Sequence, residues 1–268
     1  MKQCIDNPND VDWSGFWAEK LATKKDKDWD KAAPGFYKRT RKDDYQIALF
    51  DKLILDENDT VLDVGCGEGS VTIPIAMRVK KVIGLDSSPK MLEYLEKRAD
   101  ENGISNIEIV LQPIEEISYD ETGDVDVVVC SRSLNGIIPI EEVLSELNKI
   151  ANKYVFITIF GPENKKIEKD FDRELGIKTE DFPDYNYLFN ILFNMGIYAN
   201  VERFDLNNYR EYESIEDAMD NGKFRLDLYS DEEKELLRDY LERILTFEDG
   251  KYFNVKDKAD WVMVWWKK

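Results

Sequence analysis

The sequence contains no histidine and only three cysteines among its 268 residues. Without an imidazole, the chain cannot use a Ser-His or Cys-His nucleophile pair, a histidine-ligated zinc ion or a histidine general base. Cys4, Cys66 and Cys130 are widely separated and form no CxxC pair, so a disulfide framework is not expected. We therefore predict no metal site and a location in the reducing cytoplasm.

Long apolar runs and an excess of positive charge are also missing. The longest apolar segments, such as residues 154–160 and 261–266, are far shorter than the roughly 18 residues that cross a bilayer. The acidic amino terminus lacks the apolar stretch of a signal peptide. With 37 basic and 56 acidic residues, the net charge of −19 makes nucleic acid and anionic membranes unlikely partners.

Apolar residues are abundant, at 43% of the chain, and include 13 Phe, 13 Tyr and 6 Trp. This content supports a sizeable core and excludes a chain that is disordered throughout. Trp13, Phe16 and Trp17 recur at helical spacing near the amino terminus. Such aromatic residues belong either to the core or to a helical lid over a ligand, and the sequence leaves both possibilities open.

Short apolar strands alternate with helical segments through the middle of the chain. Runs of Val and Ile between helices are typical of a parallel sheet that is covered on both faces. The predicted strands span residues 60–64, 81–85, 107–111, 125–130, 154–160, 197–206 and 259–266. We therefore predict an α/β fold with a mostly parallel, seven-stranded sheet.

Four segments follow from this pattern. They are an amino-terminal helical lid (1–45), a core (46–206), a helical insertion that forms a cap or an interface (207–257) and a final core strand (258–268). Residues 24–31 are predicted to form a loop or turn, and residues 163–183 are charged and predicted to be irregular. The insertion is compatible with a homodimer interface, although the sequence does not define the oligomeric state.

The sharpest motif is VLDVGCGEGS at residues 61–70, followed by VIGLD at residues 82–86. The first reads as a buried strand, a glycine-rich turn and a helix, and its glycines allow a ligand to approach the backbone closely. Asp86 ends the second strand, where an acidic side chain suits hydrogen bonds to ribose hydroxyls. The two motifs together predict a nucleoside-containing cofactor.

This pair of motifs resembles motifs I and II of the class I S-adenosylmethionine-dependent methyltransferases, in which an acid precedes Gly-x-Gly-x-Gly by two positions. The resemblance covers residues 58–160 and extends weakly to residues 184–206 and the last ten residues. It implies a Rossmann-like fold with helices on both faces of the sheet, S-adenosylmethionine as cofactor and S-adenosylhomocysteine as product. A dinucleotide fingerprint would require glycine at position 70, where Ser70 stands.

The resemblance also implies roles for individual residues. Asp63 holds the amino group of the cofactor's methionine, the turn from Gly65 to Gly67 packs against that moiety, and Asp86 binds the ribose. In many members an acid after the third strand contacts the adenine; here Pro113 stands in its place, and Gln112 or the backbone N–H of Ile114 substitutes. The cofactor-binding candidates are Asp63, Gly65, Cys66, Gly67, Asp86, Ser87, Met91, Gln112, Ile114 and Cys130.

The fourth motif, DVDVVVCSRS at residues 124–133, lies where the family faces its methyl acceptor. It lacks the Asn-Pro-Pro-Tyr of amino methylation, the Pro-Cys of cytosine C5 methylation and the carboxylates of metal-dependent catechol methylation. No general base is evident, and the weak catalytic candidates are Tyr37, Tyr185 and Arg132.

We therefore expect in-line methyl transfer to a small organic acceptor, driven by positioning. The acidic total favours a neutral or cationic acceptor. Two alternatives remain: a methyltransferase that acts on a protein or tRNA, and a non-catalytic S-adenosylmethionine-binding module.

Overall fold

The structure, a computed structural model, describes residues 11–24, 27–38, 44–177 and 182–268. Its helices are α1 (Trp13–Leu21), α2 (Trp29–Lys38), α3 (Asp44–Lys52), α4 (Thr72–Ala76), α5 (Pro89–Glu101), α6 (Tyr119–Thr122), α7 (Ile140–Ile150), α8 (Lys166–Glu174), α9 (Tyr185–Asn194), α10 (Ile215–Asn221) and α11 (Asp231–Ile244). Its strands are β1 (Thr60–Val64), β2 (Lys81–Asp86), β3 (Ile107–Leu111), β4 (Val125–Ser131), β5 (Ala151–Phe160), β6 (Asn200–Arg203), β7 (Tyr209–Tyr212), β8 (Thr246–Glu248), β9 (Lys251–Lys258) and β10 (Trp261–Lys267).

Seven strands form one sheet in the order β3-β2-β1-β4-β5-β10-β6. The pairs among β1 to β5 are parallel, whereas β10 runs antiparallel to both β5 and β6. The parallel strands therefore end at one edge of the sheet, and β10 begins at the same edge because Trp261 pairs with Phe160. The mostly parallel seven-stranded sheet predicted from the sequence is confirmed.

Both faces of the central strands are covered. Successive side chains of a strand point to opposite faces, yet Val61 through Val64 of β1 are all buried. On one face, Leu62 and Val64 join a core cluster with residues of α1, α7 and α9. This pattern explains the continuous Val and Ile runs, since a strand that is buried on both sides needs no polar alternation.

The chain divides into two compact units. Unit 1 comprises residues 1–161, 182–204 and 261–268, and unit 2 comprises residues 162–181 and 205–260. Unit 2 has its own apolar cluster, centred on Phe171, Leu237 and Leu241. It also contains a three-stranded antiparallel sheet in the order β7-β9-β8.

Three local predictions are wrong, and one domain assignment differs from the structure. Residues 163–183 contain α8, in which Ile167 and Phe171 are buried four positions apart while most of the charges face outward. The insertion 207–257 is not purely helical, because β7, β8 and most of β9 lie in it. The loop predicted over residues 24–31 gives way to α2 at Trp29. Residues 162–181, assigned to the core from the sequence, belong to unit 2.

The amino-terminal aromatic residues divide between core and surface. Trp17 is fully buried in the main core, and its Nε1 donates a hydrogen bond to the carbonyl of Ile137 at 2.6 Å. Trp29 is 45% exposed and packs edge-on against Phe36. The core interpretation is therefore right for Trp17, whereas a lid function remains a prediction. Cys4 lies outside the described residues.

No helix in the described part of the chain is long and apolar enough to cross a membrane. Within the same residues, no group of three or more His, Cys, Asp or Glu side chains is arranged to hold a metal ion.

Candidate functional site

The glycine-rich turn connects β1 to α4 at the edge where the parallel strands end. Gly65, Gly67 and Gly69 have φ angles of +72°, +54° and +86°, a region that strongly favours glycine. A Cβ at position 65 would lie 2.4 Å from Cβ of Ser133, so that position has no room for a side chain. At position 67, a Cβ would have only Sδ of Met91 within 4 Å among the described residues. The turn therefore presents open backbone to a ligand at Gly67.

Asp63 is a buried acid beside this turn. Its Oδ2 accepts a hydrogen bond from Thr72 Oγ1 at 2.7 Å, whereas its buried Oδ1 has no partner among the described residues. The pKa of Asp63 is raised to about 7, chiefly by burial. The Thr72 hydrogen bond opposes this shift, and the nearby charges of Asp86 and Glu68 add to it. A buried carboxylate with one unpaired oxygen is suited to accept a hydrogen bond from a cationic donor such as an ammonium group.

Asp86 lies at the end of β2, next to the same turn. Its Oδ2 accepts from the backbone N–H of Gly67 and its Oδ1 from that of Ser88, both at 2.9 Å. The pKa of Asp86 is raised, chiefly by burial, while hydrogen bonds from backbone amides, including those of Ser88 and Gly67, oppose the shift. Because each carboxylate oxygen can accept more than one hydrogen bond, the group remains able to bind hydroxyls.

The two described cysteines are structural. Cys66 and Cys130 are free and buried. Burial raises the pKa of both thiols well above the usual value, and the charge of Asp63 raises both further. Since the thiolate is the nucleophile, neither side chain is poised for covalent chemistry.

The other cofactor candidates lie on the segments that follow β2 and β3. Ser87 is exposed, and Met91 is buried in the first turn of α5. The backbone N–H of Gln112 donates to the carbonyl of Asp86, while its side-chain amide donates to the Glu116 carbonyl and to Glu121. Ile114 begins a turn of 3₁₀ helix, and its Cδ1 lies 3.2 Å from a Cβ built at Gly65. The Gln112 amide thus faces its own loop.

Beyond β4, the chain forms a second group of residues at this edge. Arg132 adopts a φ of +61°, unusual for a side-chain-bearing residue, and its N–H donates to Thr158 Oγ1 at 3.0 Å. The Tyr45 hydroxyl is hydrogen-bonded to Ser131 Oγ at 2.8 Å and to Thr158 Oγ1 at 2.6 Å. The buried Ser133 Oγ has no partner among the described residues. Ser133 belongs to the fourth sequence motif, whereas no motif indicated that Tyr45 or Thr158 lies at this edge.

The two tyrosine candidates lie elsewhere on unit 1. Tyr37 stacks on Tyr94 of α5 at 4.5 Å, and its hydroxyl donates to Glu101 at 2.9 Å. The structure therefore places Tyr37 at the far end of α5 and not at the glycine turn. Tyr185 begins α9 and packs against the main core.

The residues at this edge fit S-adenosylmethionine. Asp63 Oδ1 is a buried acceptor without a donor, Asp86 presents a carboxylate, and Gly67 leaves the turn open. When bound, this cofactor supplies a methyl group on a positively charged sulfur. Residues placed in this way would hold the methionine ammonium and orient the ribose.

The family model described as "Methyltransferase domain" matches residues 55–185. An uncharacterized protein of Haemophilus influenzae is 28% identical over 227 residues, which cover 83% of this chain and 81% of that protein. The 23S rRNA (uracil(1939)-C(5))-methyltransferase RlmD of Francisella tularensis subsp. novicida is 40% identical over 61 residues, only 23% of this chain and 13% of that enzyme.

Among solved structures, coclaurine N-methyltransferase bound to N-methylheliamine and S-adenosylhomocysteine aligns with a TM-score of 0.52 at 16% identity. The alignment covers 96% of this chain and 86% of the other. At this identity, the likeness concerns the fold.

Fold, glycine turn and paired acids define a class I S-adenosylmethionine-dependent methyltransferase, and the cofactor is S-adenosylmethionine. Within that class, the family model described as "Methyltransferase domain" matches about half of the chain, residues 55–185.

Proposed function

We propose that the chain transfers the methyl group of S-adenosylmethionine to a small organic acceptor at the carboxyl edge of the seven-stranded sheet. In this proposal Asp63 binds the methionine ammonium, Gly65 to Gly67 pack against the methionine, and Asp86 binds the ribose. The observation that carries the assignment is the buried Asp63 carboxylate with an unpaired Oδ1 beside the open turn.

A small acceptor is favoured over RNA by charge and by the extent of the RNA-related match. The chain carries a net charge of −19, whereas RNA binding relies on Lys and Arg that neutralise phosphates. The RlmD similarity spans only 61 residues, so it leaves most of both proteins unmatched. A protein acceptor with a basic surface is the second candidate, supported by the same negative charge.

The first experiment is calorimetric titration of the protein with S-adenosylmethionine and S-adenosylhomocysteine. We expect micromolar binding of both that is lost in Asp86→Ala. The matched control is Asp100→Ala, because Asp100 is an exposed acid on α5, the helix that follows Asp86. Absence of binding by the wild-type protein, or unchanged binding by Asp86→Ala, contradicts the assigned site.

Transfer of labelled methyl from S-adenosylmethionine then separates the acceptor classes. Small metabolites, total tRNA and a basic protein such as histone are offered in parallel. Label in the small-molecule fraction supports the proposal, whereas label in tRNA or protein alone replaces it by the corresponding alternative.

A further inference from the structure

The acceptor side of the sheet edge contains a compact group of aromatic rings around one guanidinium. We call it the Arg132 cluster, and it consists of Tyr45, Arg132, Phe160, Phe204 and Trp261. Ring centroids are 4.6 Å apart for Phe160 and Trp261, 5.5 Å for Tyr45 and Phe204, and 5.8 Å for Tyr45 and Trp261. All five residues belong to unit 1.

The backbone holds Arg132 in a costly conformation. Its φ of +61° is unfavourable for a residue with a side chain, and such strain is retained where surrounding contacts impose it. Here the Arg132 N–H donates to Thr158, and its carbonyl accepts from Asn135 Nδ2 at 3.2 Å. Asn135 Oδ1 in turn accepts from the Phe160 N–H at 3.2 Å. Strands β4 and β5 together therefore fix the direction in which the side chain leaves.

The guanidinium is packed against rings instead of being paired with an acid. Its Cζ lies 4.1 Å from the Tyr45 ring centroid and 5.8 Å from that of Trp261. No carboxylate among the described residues forms an ion pair with it, although the chain has 56 acidic residues. By contrast, Arg210, Arg225 and Arg243 each pair with an acid. A half-buried guanidinium is planar, and its N–H groups can donate two parallel hydrogen bonds to a carboxylate. Because no acid among the described residues pairs with Arg132, its guanidinium is suited to bind the carboxylate of a ligand.

The cluster adjoins the cofactor turn. Ser133, which directly follows Arg132, lies against Gly65. The segment that contains Arg132 therefore borders the glycine turn that faces the methionine in the proposed function. A ligand held by Arg132 would rest beside the cofactor and next to the aromatic rings.

Resting on the proposed function, we propose that the methyl acceptor is an organic acid with a flat apolar body, whose carboxylate is bound by Arg132. This reverses the expectation of a neutral or cationic acceptor from net charge. Distant surface charges are screened beyond about 8 Å at physiological ionic strength, whereas a guanidinium in contact acts directly. A phosphate is less well suited, because the structure shows one guanidinium and no second cation within the cluster as described.

The test compares acids with their isosteric amides as probes. Benzoate and benzamide, and phenylacetate and phenylacetamide, are titrated into the protein with and without S-adenosylhomocysteine, with detection by ligand-observed NMR. We expect each acid to bind about tenfold more tightly than its amide, since a charge-assisted pair distinguishes them. Arg132→Gln should abolish this difference, and Arg132→Lys should retain part of it.

Arg78→Gln is the matched control. Arg78 also lies over an aromatic ring, with Cζ 5.0 Å from the Phe50 centroid, but follows α4 outside the Arg132 cluster. The Arg78→Gln variant should bind each acid more tightly than its amide, as the wild-type protein does. Equal binding of acid and amide, no binding of any probe by the wild-type protein, or an unchanged preference in Arg132→Gln overturns the proposal. Calorimetry with S-adenosylhomocysteine on the same samples reports the cofactor site separately, so failure of that site is distinguishable.

Discussion

At the scale of single residues, the proposed contact between Asp63 and the cofactor's ammonium group would couple proton binding to cofactor binding. Its pKa of about 7 in the free protein results mainly from burial, and an ammonium ligand at Oδ1 would stabilise the charged form. Binding should therefore release a proton at neutral pH. Below pH 7, the carboxyl group must first ionise, so the affinity falls as the pH is lowered.

We predict that the affinity for S-adenosylmethionine rises about tenfold between pH 6 and pH 8, as expected for one group with a pKa near 7. Calorimetry in two buffers of different ionisation enthalpy measures the proton released. Asp63→Asn should bind weakly and without this pH dependence, whereas Asp100→Asn should behave as the wild type. A pH-independent affinity in the wild-type protein would contradict the assigned role.

The raised pKa of Asp63 has the opposite effect on the stability of the ligand-free protein, because the ionised carboxylate destabilises the fold. A carboxyl group whose folded pKa exceeds its unfolded value favours folding while it is protonated, so that contribution is lost as the pH rises from about 4 to 7. Asp63→Asn should therefore raise the free energy of unfolding at pH 8, on the order of 4 kcal/mol, because each unit of pKa shift corresponds to about 1.4 kcal/mol. A free protein destabilised by this substitution would show that the ionised Asp63 is stabilising.

Residues of the glycine turn were predictable from the sequence because their geometry is local. Asp63 lies in β1, the glycines follow that strand directly, and Asp86 ends β2, so two short motifs encode them. Tyr45 was not predictable, because its hydroxyl reaches Thr158, 113 positions away, and only the folded sheet brings them together.

At the scale of elements, the alternation of strands and helices predicted the central sheet well, since each strand is a continuous apolar run. It failed for α2, which contains Pro34 and Gly35, both unfavourable within a helix. Contacts with α5 hold α2 instead: Asp30 accepts from Ser88 Oγ at 2.5 Å, and Arg98 donates to the Tyr37 carbonyl. Tertiary packing here overrides local preference.

The contact between α2 and α5 tests whether the amino-terminal segment is a lid. Asp30 accepts from Ser88, whose own N–H donates to Asp86, so α2 is linked to the proposed ribose-binding acid. We predict that Asp30→Ala increases hydrogen exchange across residues 29–38 and speeds S-adenosylhomocysteine dissociation severalfold.

Lys31→Ala, which changes an exposed residue of the same helix, serves as the control and should leave both measurements unchanged. Faster exchange with an unchanged dissociation rate would show that α2 is merely docked and is not a lid.

At the scale of the whole molecule, the two units differ in the kind of polar residues that they contain. Unit 1 contains the proposed cofactor residues, whereas unit 2 contains a buried ionic group. In it, Arg210 pairs with Glu168 through Nη2 at 2.6 Å and with Asp257 through Nε at 2.7 Å, and Tyr212 donates to Asp257 at 2.7 Å. Burial raises the pKa of Asp257, while the Arg210 charge opposes that shift.

Removing Arg210 should therefore destabilise unit 2 specifically. Arg210→Met leaves two buried carboxylates without their cation, which costs about 3–5 kcal/mol. We expect the thermal transition to shift downward and to split in two, because unit 2 has its own apolar core. S-adenosylhomocysteine should still bind below the first transition, because every proposed cofactor residue belongs to unit 1.

The control for this prediction is Arg238→Gln, which breaks a more exposed pair with Glu216 in the same unit and should leave the melting temperature nearly unchanged. Calorimetric melting with and without S-adenosylhomocysteine provides both readouts. If Arg210→Met abolishes S-adenosylhomocysteine binding while the protein is still folded, the cofactor site depends on unit 2. That result would contradict the prediction that the residues of unit 1 bind the cofactor alone. If Arg210→Met lowers only the melting temperature of unit 2 and S-adenosylhomocysteine still binds, the cofactor is bound by unit 1 alone. The sequence of unit 2 can then change without loss of cofactor binding.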